Sequence, residues 1–322
     1  MIASVLNRLV GSLLSRPLAS PSDQERESLD ELRAAFDGFP VIDTTNVLET
    51  EAAWFGYMNR VRERVLSNDP RKFLRWDLIL ETMFISYAPY ISKELAYLKQ
   101  RSDWATRWRE AIRESPVGQP LPYMLYPGAS GSTIHHAYHL ATFEEKTGER
   151  VENLDYVVEF GAGYGGMCRV LFNLGFRGKY ICFDLPPFAA IQRYYLKTVG
   201  LPVVAAGELD EAPGVICVSE VSKLEEILKG VGNGKRAMFM AMWSLSESPV
   251  AIRDSILPLV SGFQSFLIAY YDRFGEVDNT DFFREWQARN TQVRCQSWPI
   301  AHIPRNTYLV GQRSENATQS IT

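Results

Sequence analysis

Short apolar segments alternate with amphipathic segments through the second half of the chain. The apolar segments are typical of strands buried on both faces, and the amphipathic segments are typical of helices. Their regular alternation from Tyr156 onward predicts a parallel, doubly wound α/β sheet. The predicted strands are 157–160, 179–183, 203–206, 214–218, 236–243 and 266–271, followed by an antiparallel pair near 293 and at 307–310.

The first half of the chain has a different pattern. From residue 29 to residue 114, apolar and aromatic positions recur at helical spacing, with charged residues between them. Large side chains at this spacing usually form the core of a helical domain. A segment rich in proline and glycine follows at 115–132 and predicts a loop. We therefore expect an N-terminal helical domain, which would serve substrate binding or oligomerisation, before the sheet.

The pattern divides the chain into four predicted regions. Residues 1–28 form an amphipathic helix and a linker, and residues 29–132 form the helical, aromatic-rich domain with its loop. Residues 133–312 form the Rossmann-like sheet domain, and residues 313–322 form a polar, disordered tail.

Residues 1–14 place apolar side chains on one face of the predicted N-terminal helix. Asn7 and Arg8 interrupt the apolar run, so the segment cannot cross a membrane and makes a poor signal peptide. We expect this helix to pack on its own domain or on another subunit of a homo-oligomer. Shallow association with a membrane surface is the alternative.

The amino-acid composition indicates the class of protein but not its chemical activity. Hydrophobic residues make up 46% of the 322 residues, charged residues make up 22%, and the net charge is -4. These values are typical of a globular protein and give no reason to expect a nucleic-acid partner. The four cysteines have no C-x-x-C spacing, which favours the reducing cytoplasm over a disulfide framework or a zinc site.

A glycine turn after the first predicted strand is the strongest chemical signal in the chain. Gly161 and Gly163 are followed by Gly165 and Gly166, so the spacing fits both G-x-G-x-G and G-x-G-x-x-G. Glycines at such a turn let the backbone approach a ligand, and the start of the following helix offers unpaired N–H groups. Strand, turn and helix together predict a nucleotide-cofactor site, although a turn without a ligand has the same spacing.

Two acidic residues refine this prediction. Glu159 lies two positions before the first glycine, and Asp184 ends the next predicted strand, where it can accept hydrogen bonds from ribose hydroxyls. An acid at position 184 suits either a nicotinamide or an adenosylmethionine cofactor. The Glu-x-Gly-x-Gly-x-Gly pattern, however, resembles motif I of the class I S-adenosylmethionine-dependent methyltransferases. The resemblance implies S-adenosyl-L-methionine as the cofactor.

A narrower resemblance rests on three blocks of sequence. Residues 159–166, residues 184–187 and the block Trp-Ser-Leu-Ser-Glu-Ser-Pro at 243–249 look like a bacterial family of sugar O-methyltransferases. The resemblance covers about 127–310 and implies methyl transfer to a hydroxyl of a nucleotide sugar, lipid-linked glycan or polysaccharide. The cysteine usage predicts a cytoplasmic location, with contact at the inner membrane through residues 1–14 as the alternative. The implied cofactor-binding residues are Ser130, Glu159, Gly161, Ala162, Gly163, Tyr164, Asp184, Leu185 and Trp243.

Transfer to a sugar hydroxyl also requires a way to remove its proton. A positioned general base or a divalent metal ion can do this. His139 and His302 are the main candidates for the base, with Glu247 as a further catalytic candidate. Glu247 and Asp272 follow successive strands and could instead share a Mg²⁺ ion, because hard cations prefer oxygen ligands. We prefer the base without a metal.

Three histidines lie close together on the helix predicted to start near Thr133. His135 and His139 share one helix face because they are four positions apart, and His136 points elsewhere. Hydrogen-bonded helix histidines and a metal-binding pair are the two alternatives to a general base at His139.

Other functions share some of these residues. A methyltransferase for a non-sugar acceptor, such as a polyketide or small amine, would keep every cofactor residue. An NAD(P)-dependent oxidoreductase would fit the glycines but not Glu159 or the lack of a Tyr-x-x-x-Lys pair. A non-catalytic interaction module that retains the fold is the third alternative.

Overall fold

A computed structural model describes residues 18–45, 49–205, 213–231 and 234–313. The predicted helix at 1–14 and the tail beyond residue 313 lie outside these ranges. The chain divides into two compact units. The helical unit comprises Met1–His139, Gly163–Leu174 and Leu185–Val203, and the sheet unit comprises Leu140–Ala162, Gly175–Asp184 and Val204–Thr322.

The sheet unit contains a seven-stranded sheet in the order β3-β2-β1-β4-β5-β9-β8. Strands β1 to β5 are parallel, β9 runs antiparallel to β5, and β8 runs antiparallel to β9. The predicted doubly wound sheet with a closing antiparallel pair is therefore confirmed, whereas the described part of the strand predicted at 203–206 forms no strand of this sheet. The strands are β1 Tyr156–Phe160, β2 Lys179–Phe183, β3 Gly214–Val218, β4 Ala237–Met242, β5 Ser265–Tyr271, β8 Val293–Pro299 and β9 Asn306–Arg313. Two further strands, β6 Arg273–Phe274 and β7 Val277–Asp278, form a separate small hairpin that the sequence did not predict.

The helices follow the predicted pattern, with differences at their ends. In the N-terminal part they are α1 Asp23–Gly38, α2 Glu49–Ser67, α3 Asp77–Thr82, α4 Ile91–Gln100 and α5 Arg109–Ala111. Those that follow are α6 Gly131–Thr147, α7 Gly166–Asn173, α8 Pro186–Thr198, α9 Val221–Lys229, α10 Ser244–Glu247, α11 Val250–Ile256 and α12 Asn279–Arg289.

Helix α1 begins inside the segment predicted as a linker, so that prediction was wrong for residues from Asp23 onward. The side chain of Ser22 accepts a hydrogen bond of 3.2 Å from the backbone N–H of Glu25 and caps the helix. Ser-x-x-Glu is the sequence pattern of a capping box. Local capping therefore determines where this helix starts, although the polar composition of the segment is typical of a linker.

One face of the sheet forms the main apolar core of the sheet unit. Alternate residues of β1, β2, β4 and β5 point to this face and pack with residues of α9, α11 and α12. Each large apolar side chain buried in this way contributes roughly 1.5–3 kcal/mol. The central residues are Val158, Phe160, Ile181, Phe183, Phe239, Phe266, Ile268, Leu224, Ile256 and Phe283.

In the helical unit, α7 and α8 pack with the N-terminal helices. Arg169 of α7 forms a buried ion pair with Glu114, with 2.6 Å between the guanidinium nitrogen and the carboxylate oxygen. The rings of Tyr57 in α2 and Phe188 in α8 lie 5.6 Å apart. The helical unit is therefore assembled from three separate stretches of the chain. The predicted boundary between residues 132 and 133 remains a prediction.

Candidate active site

The turn after β1 requires glycine at position 161. Gly161 has a φ of +73°, and a Cβ built there would lie 2.2 Å from the Cβ of Ser244. Its backbone N–H donates a hydrogen bond of 2.8 Å to the carbonyl oxygen of Phe183. The turn is therefore held against the ends of β2 and β4, and Ser244 fills the space that a side chain at position 161 would need.

Glu159 of β1 carries a buried carboxyl group. Its side chain accepts a hydrogen bond of 2.6 Å from the hydroxyl of Tyr180, and the residue is only 4% exposed. Burial raises the pKa of Glu159 to about 8, and the nearby charge of Asp184 acts in the same direction. Glu159 is therefore mostly protonated at neutral pH, and a cation bound nearby would favour its ionised form.

Asp184 lies immediately after β2, at the same edge of the sheet as Gly161. The register pairs Phe160 with Phe183, so the residues that follow β1 and β2 are neighbours. The backbone N–H of Asp184 donates a hydrogen bond of 3.0 Å to Val218, which fixes the end of the strand. The structure thus brings Glu159, Gly161 and Asp184 together at the carboxyl ends of parallel strands, where ligands of doubly wound sheets bind.

Trp243 follows β4 at this edge and has an unusual backbone conformation. Its φ of +65° lies in the left-handed region, which non-glycine residues adopt at a cost of about 1–3 kcal/mol. Its backbone N–H donates a hydrogen bond of 2.7 Å to the carbonyl oxygen of Ala269. Its indole N–H donates to the side-chain oxygen of Asn306. These two hydrogen bonds hold Trp243 in the strained conformation.

A buried arginine fixes the segment that follows Trp243. The guanidinium group of Arg253 is fully buried and donates hydrogen bonds of 2.6 Å to the Asn279 side chain and 2.8 Å to the Ser246 carbonyl. A third bond of 2.9 Å reaches the carbonyl oxygen of Ser248. Burial lowers the pKa of Arg253 to about 10, so it remains cationic at neutral pH. Sequence reasoning missed both Arg253 and Asn279, because polar residues in predicted helices usually face solvent.

The two acids predicted as metal ligands differ in environment. Glu247 lies half-buried at the end of α10, and burial raises the pKa of its carboxyl group. Asp272 follows β5 and accepts a hydrogen bond of 2.8 Å from the hydroxyl of Thr307. Among the described residues, no three His, Cys, Asp or Glu side chains lie close enough to hold a metal ion together. A Mg²⁺ role for the two acids remains a prediction.

His302 also belongs to this edge of the sheet. It is half-buried on the turn between β8 and β9. That turn lies at the carboxyl end of β5, since Asn306 pairs with Tyr271. The predicted role of His302 as a base is consistent with its position at this edge and remains a prediction.

The remaining predicted site residues belong to the helical unit. Ser130 is fully buried, and its hydroxyl accepts a hydrogen bond of 3.2 Å from the backbone N–H of Thr133 at the start of α6. The ring of Tyr164 packs in an aromatic core against Phe73, Phe84 and Tyr195. The predicted contact of Tyr164 with the cofactor remains a prediction.

Gly163 and Leu185 serve as backbone positions within the same unit. The carbonyl oxygen of Gly163 accepts a hydrogen bond of 3.0 Å from the Gln192 side chain. The carbonyl oxygen of Leu185 accepts one of 2.9 Å from Phe188 at the start of α8. Their predicted roles in cofactor binding remain predictions.

The three clustered histidines are largely internal. Nδ1 of His135 lies 2.8 Å from the carboxylate of Glu94, and both side chains are buried. His139 is fully buried, with its ring edge-on and 4.1 Å from the ring of His135. Burial lowers the pKa of His136 to about 3, so this side chain is neutral at physiological pH. Glu94 had no sequence signal, because it occupies an ordinary helical position in α4.

Comparison with known proteins gives a fold-level similarity only. No protein-family model and no curated protein matches the chain. The solved structure of the mitomycin 7-O-methyltransferase MmcR is 12% identical over 97% of this chain and 99% of its own, with a TM-score of 0.36. The S-adenosylhomocysteine-bound methyltransferase PaMTH1 of Podospora anserina is 8% identical over 73% of this chain and 92% of its own, with a TM-score of 0.37.

A third similar structure is the precorrin-6y C5,15-methyltransferase of Geobacter metallireducens. It is 12% identical over 58% of this chain and 89% of its own, with a TM-score of 0.37. Similarity this distant does not transfer activity or substrate. The fold assignment rests instead on the strand order of the sheet and on its antiparallel final pair. On that evidence, the chain has the fold of the class I methyltransferases.

Proposed function

We propose that this protein is an S-adenosylmethionine-dependent O-methyltransferase that acts on a hydroxyl group of a sugar or glycan. The observation that carries the proposal is the edge of the sheet where Glu159, Gly161 and Asp184 meet. A methyltransferase sheet with this arrangement at the ends of its first two strands is suited to a nucleoside cofactor.

The residues at this edge fit the cofactor chemically. The glycine at position 161 lets the turn after β1 pack directly against Ser244, at the edge of the sheet where Asp184 lies. Asp184 would accept hydrogen bonds from the ribose hydroxyls, and Trp243 lies at the end of a neighbouring strand. When bound, S-adenosylmethionine supplies an electrophilic methyl group on a positively charged sulfur. The proton-bearing carboxyl of Glu159 can ionise to balance that charge.

The sugar acceptor is supported by the sequence block at 243–249. The structure holds this block at the carboxyl edge of the sheet through Arg253 and Asn306. The acceptor would be a nucleotide sugar, a lipid-linked glycan or a polysaccharide. Within the described ranges, none of the helices combines the length and apolarity needed to cross a membrane.

Calorimetric titration of the purified protein with S-adenosylhomocysteine tests the cofactor, with NADH as a parallel titration. We expect micromolar binding of S-adenosylhomocysteine alone, and its loss in Asp184→Ala. Asp254→Ala is the matched control, because Asp254 is an exposed acid on α11. Binding of NADH alone would identify an oxidoreductase, and binding of neither would favour a non-catalytic interaction module.

The acceptor class is tested by methyl-transfer assays on a mixed panel. Methyl glycosides, nucleotide sugars and glycans would be compared with phenols and small amines, each with Mg²⁺ and with EDTA. We expect turnover on the sugar acceptors. Turnover restricted to phenols or amines would instead assign a non-sugar methyltransferase, and loss of turnover in EDTA would support a metal site at Glu247 and Asp272.

A further inference from the structure

Three aromatic side chains form a row at the carboxyl edge of the sheet unit. Trp243 and Tyr271 have ring centroids 6.4 Å apart, and Tyr271 and Phe274 have centroids 6.2 Å apart with an angle of 26° between their planes. All three are only partly buried. We call these residues the aromatic ledge. Large rings left partly exposed at a ligand-binding edge are candidates for stacking on a ligand.

The ledge is built on fixed backbone positions. Trp243 is held through Ala269 and Asn306, as described above. Tyr271 ends β5, and its backbone N–H donates a hydrogen bond of 3.3 Å to the hydroxyl of Ser246. Phe274 belongs to the β6–β7 hairpin. A site carried by strand ends in this way keeps its geometry without a ligand, which reduces the entropy lost on binding.

Glu247 lies beside the ledge. It follows Trp243 by one helical turn, and its backbone N–H donates a hydrogen bond of 3.2 Å to the Trp243 carbonyl oxygen. Its carboxylate is close enough to Tyr271 to raise the pKa of the tyrosine hydroxyl, after the larger effect of burial. The described chain therefore places one carboxylate next to a row of aromatic rings.

We infer that the aromatic ledge stacks on the pyranose ring of the acceptor and that Glu247 is the general base that takes the proton of the methylated hydroxyl. This inference rests on the proposed function and assigns its acceptor subsite. A pyranose has apolar C–H faces that pack on aromatic rings, and hydroxyl groups around its rim that donate to a carboxylate. Trp243, Tyr271, Phe274 and Glu247 supply both kinds of contact from one edge.

The step balances without a further reactant. The acceptor hydroxyl gives its proton to the carboxylate of Glu247 as its oxygen forms a bond to the methyl carbon. The bond between that carbon and the sulfonium sulfur breaks, and its electron pair stays on the sulfur. The products are a methyl ether, a neutral thioether and a protonated Glu247, which then releases its proton to solvent.

The surroundings of Glu247 set its protonation. Helix α10 packs against β4, β5 and β6. The titratable or charged groups on those strands are Tyr270, Tyr271 and Arg273. The guanidinium group of Arg253, on the following helix, donates its hydrogen bonds to Asn279 and to backbone carbonyls. Burial raises the pKa of the Glu247 carboxyl group above its ordinary value.

Acceptor binding tests the ledge independently of turnover. Saturation-transfer NMR would measure binding of methyl α-glucoside, methyl α-mannoside and methyl α-rhamnoside to the protein loaded with S-adenosylhomocysteine. We expect Phe274→Ala to weaken binding by roughly threefold to tenfold, with unchanged affinity for S-adenosylhomocysteine. Phe274→Tyr keeps the ring and should bind as the wild type does. Equal binding by Phe274→Ala, or no pyranoside binding by the wild type, would overturn the ledge assignment.

Turnover tests the base. Glu247→Gln should lower kcat by about 100-fold or more, leave acceptor binding nearly intact, and remove the fall in kcat/KM at acidic pH. Glu276→Gln is the matched control, because Glu276 is an exposed acid on the neighbouring β6–β7 hairpin. Wild-type kcat and an unchanged pH profile in Glu247→Gln would show that Glu247 is not the base.

The experiments distinguish a failure of the proposed function from a failure of this inference. If the wild type binds no S-adenosylhomocysteine, the cofactor assignment itself is wrong. If the wild type binds it and methylates a sugar while both variants behave as the wild type, only the ledge and the base are misassigned.

Discussion

Replacement of Gly161 by alanine provides a direct test of the turn after β1. Two effects add at this position, because the backbone is left-handed and the space for a side chain is already filled by Ser244. Gly148 is a matched control. It has a nearly identical φ of +72°, but nothing lies within 4 Å of a Cβ built there.

The two substitutions therefore separate strain from overlap. A left-handed alanine costs about 1–2 kcal/mol, and this is the whole effect expected for Gly148→Ala. At Gly161 the new methyl group would lie 2.2 Å from a carbon of Ser244, far inside normal contact distance. Forcing the two segments apart adds about 1–3 kcal/mol. We expect Gly161→Ala to lower the free energy of unfolding by about 2–5 kcal/mol in all.

Thermal unfolding followed by circular dichroism measures the difference. A loss of 1 kcal/mol lowers Tm by about 2–4 °C in a folding unit of this size, so Gly161→Ala should melt well below Gly148→Ala. Ser244→Gly in the Gly161→Ala background removes the overlapping atoms and should recover the difference between the two, but not the backbone strain. Calorimetry should also show that Gly161→Ala no longer binds S-adenosylhomocysteine.

Two results would refute this reasoning. Equal Tm values for Gly161→Ala and Gly148→Ala would show that the turn does not press on Ser244. Additive effects of Gly161→Ala and Ser244→Gly, with no recovery in the double variant, would show that the two residues do not interact.

Three further variants test the buried polar groups. Glu159 has a folded pKa of about 8 against an ordinary value of 4.5. Its contribution to stability is therefore present below pH 4.5 and is lost as the pH rises towards 8. The Tm of Glu159→Gln should therefore rise relative to the Tm of the wild type as the pH increases across this range. Parallel curves of Tm against pH for the two proteins would contradict the raised pKa of Glu159. Arg253→Met removes the donor of three hydrogen bonds in the described structure, so we expect a loss of about 3 kcal/mol or more in chemical unfolding. Arg284→Met, on the exposed surface of α12, should change stability by no more than about 0.5 kcal/mol, and similar losses in both would argue against the network. Glu94→Gln breaks the charged contact with His135 inside the helical unit and should lower Tm clearly, whereas Glu110→Gln at an exposed position should not; an unchanged Tm for Glu94→Gln would show that the pair contributes little.

Features with a local cause were predictable from the sequence. The glycine turn and the strands around it follow from the run of apolar residues that ends at Phe160 and from the glycines after it. The antiparallel pair was predictable in the same way, because Thr307-Tyr308-Leu309-Val310 is a short apolar run after a turn. Such signals depend only on neighbours in the chain.

Features that depend on the folded structure were not predictable. Strands β6 and β7 have two residues each, too few for any periodicity. The buried pairs of Arg253 with Asn279 and Glu94 with His135 join residues far apart in sequence, and each member alone has the pattern of a solvent-exposed helix position. Tyr164 differs in the other direction. The glycine motif predicts that it contacts the cofactor, but its side chain packs in the core.

The place of β9 in the sheet has a consequence for how the protein is made. Strand β9 lies between β5 and β8, although residues 306–313 are translated after both of them. Until the ribosome has passed Asn306, β5 has an open edge and the indole of Trp243 lacks its hydrogen-bond partner. The nascent chain would therefore carry an unfinished sheet until β9 is translated, and the edge that carries Trp243 would be complete only when β9 inserts. A substitution that weakens β9 should therefore first increase the dependence of the newly made chain on chaperones, before it lowers the stability of the folded protein.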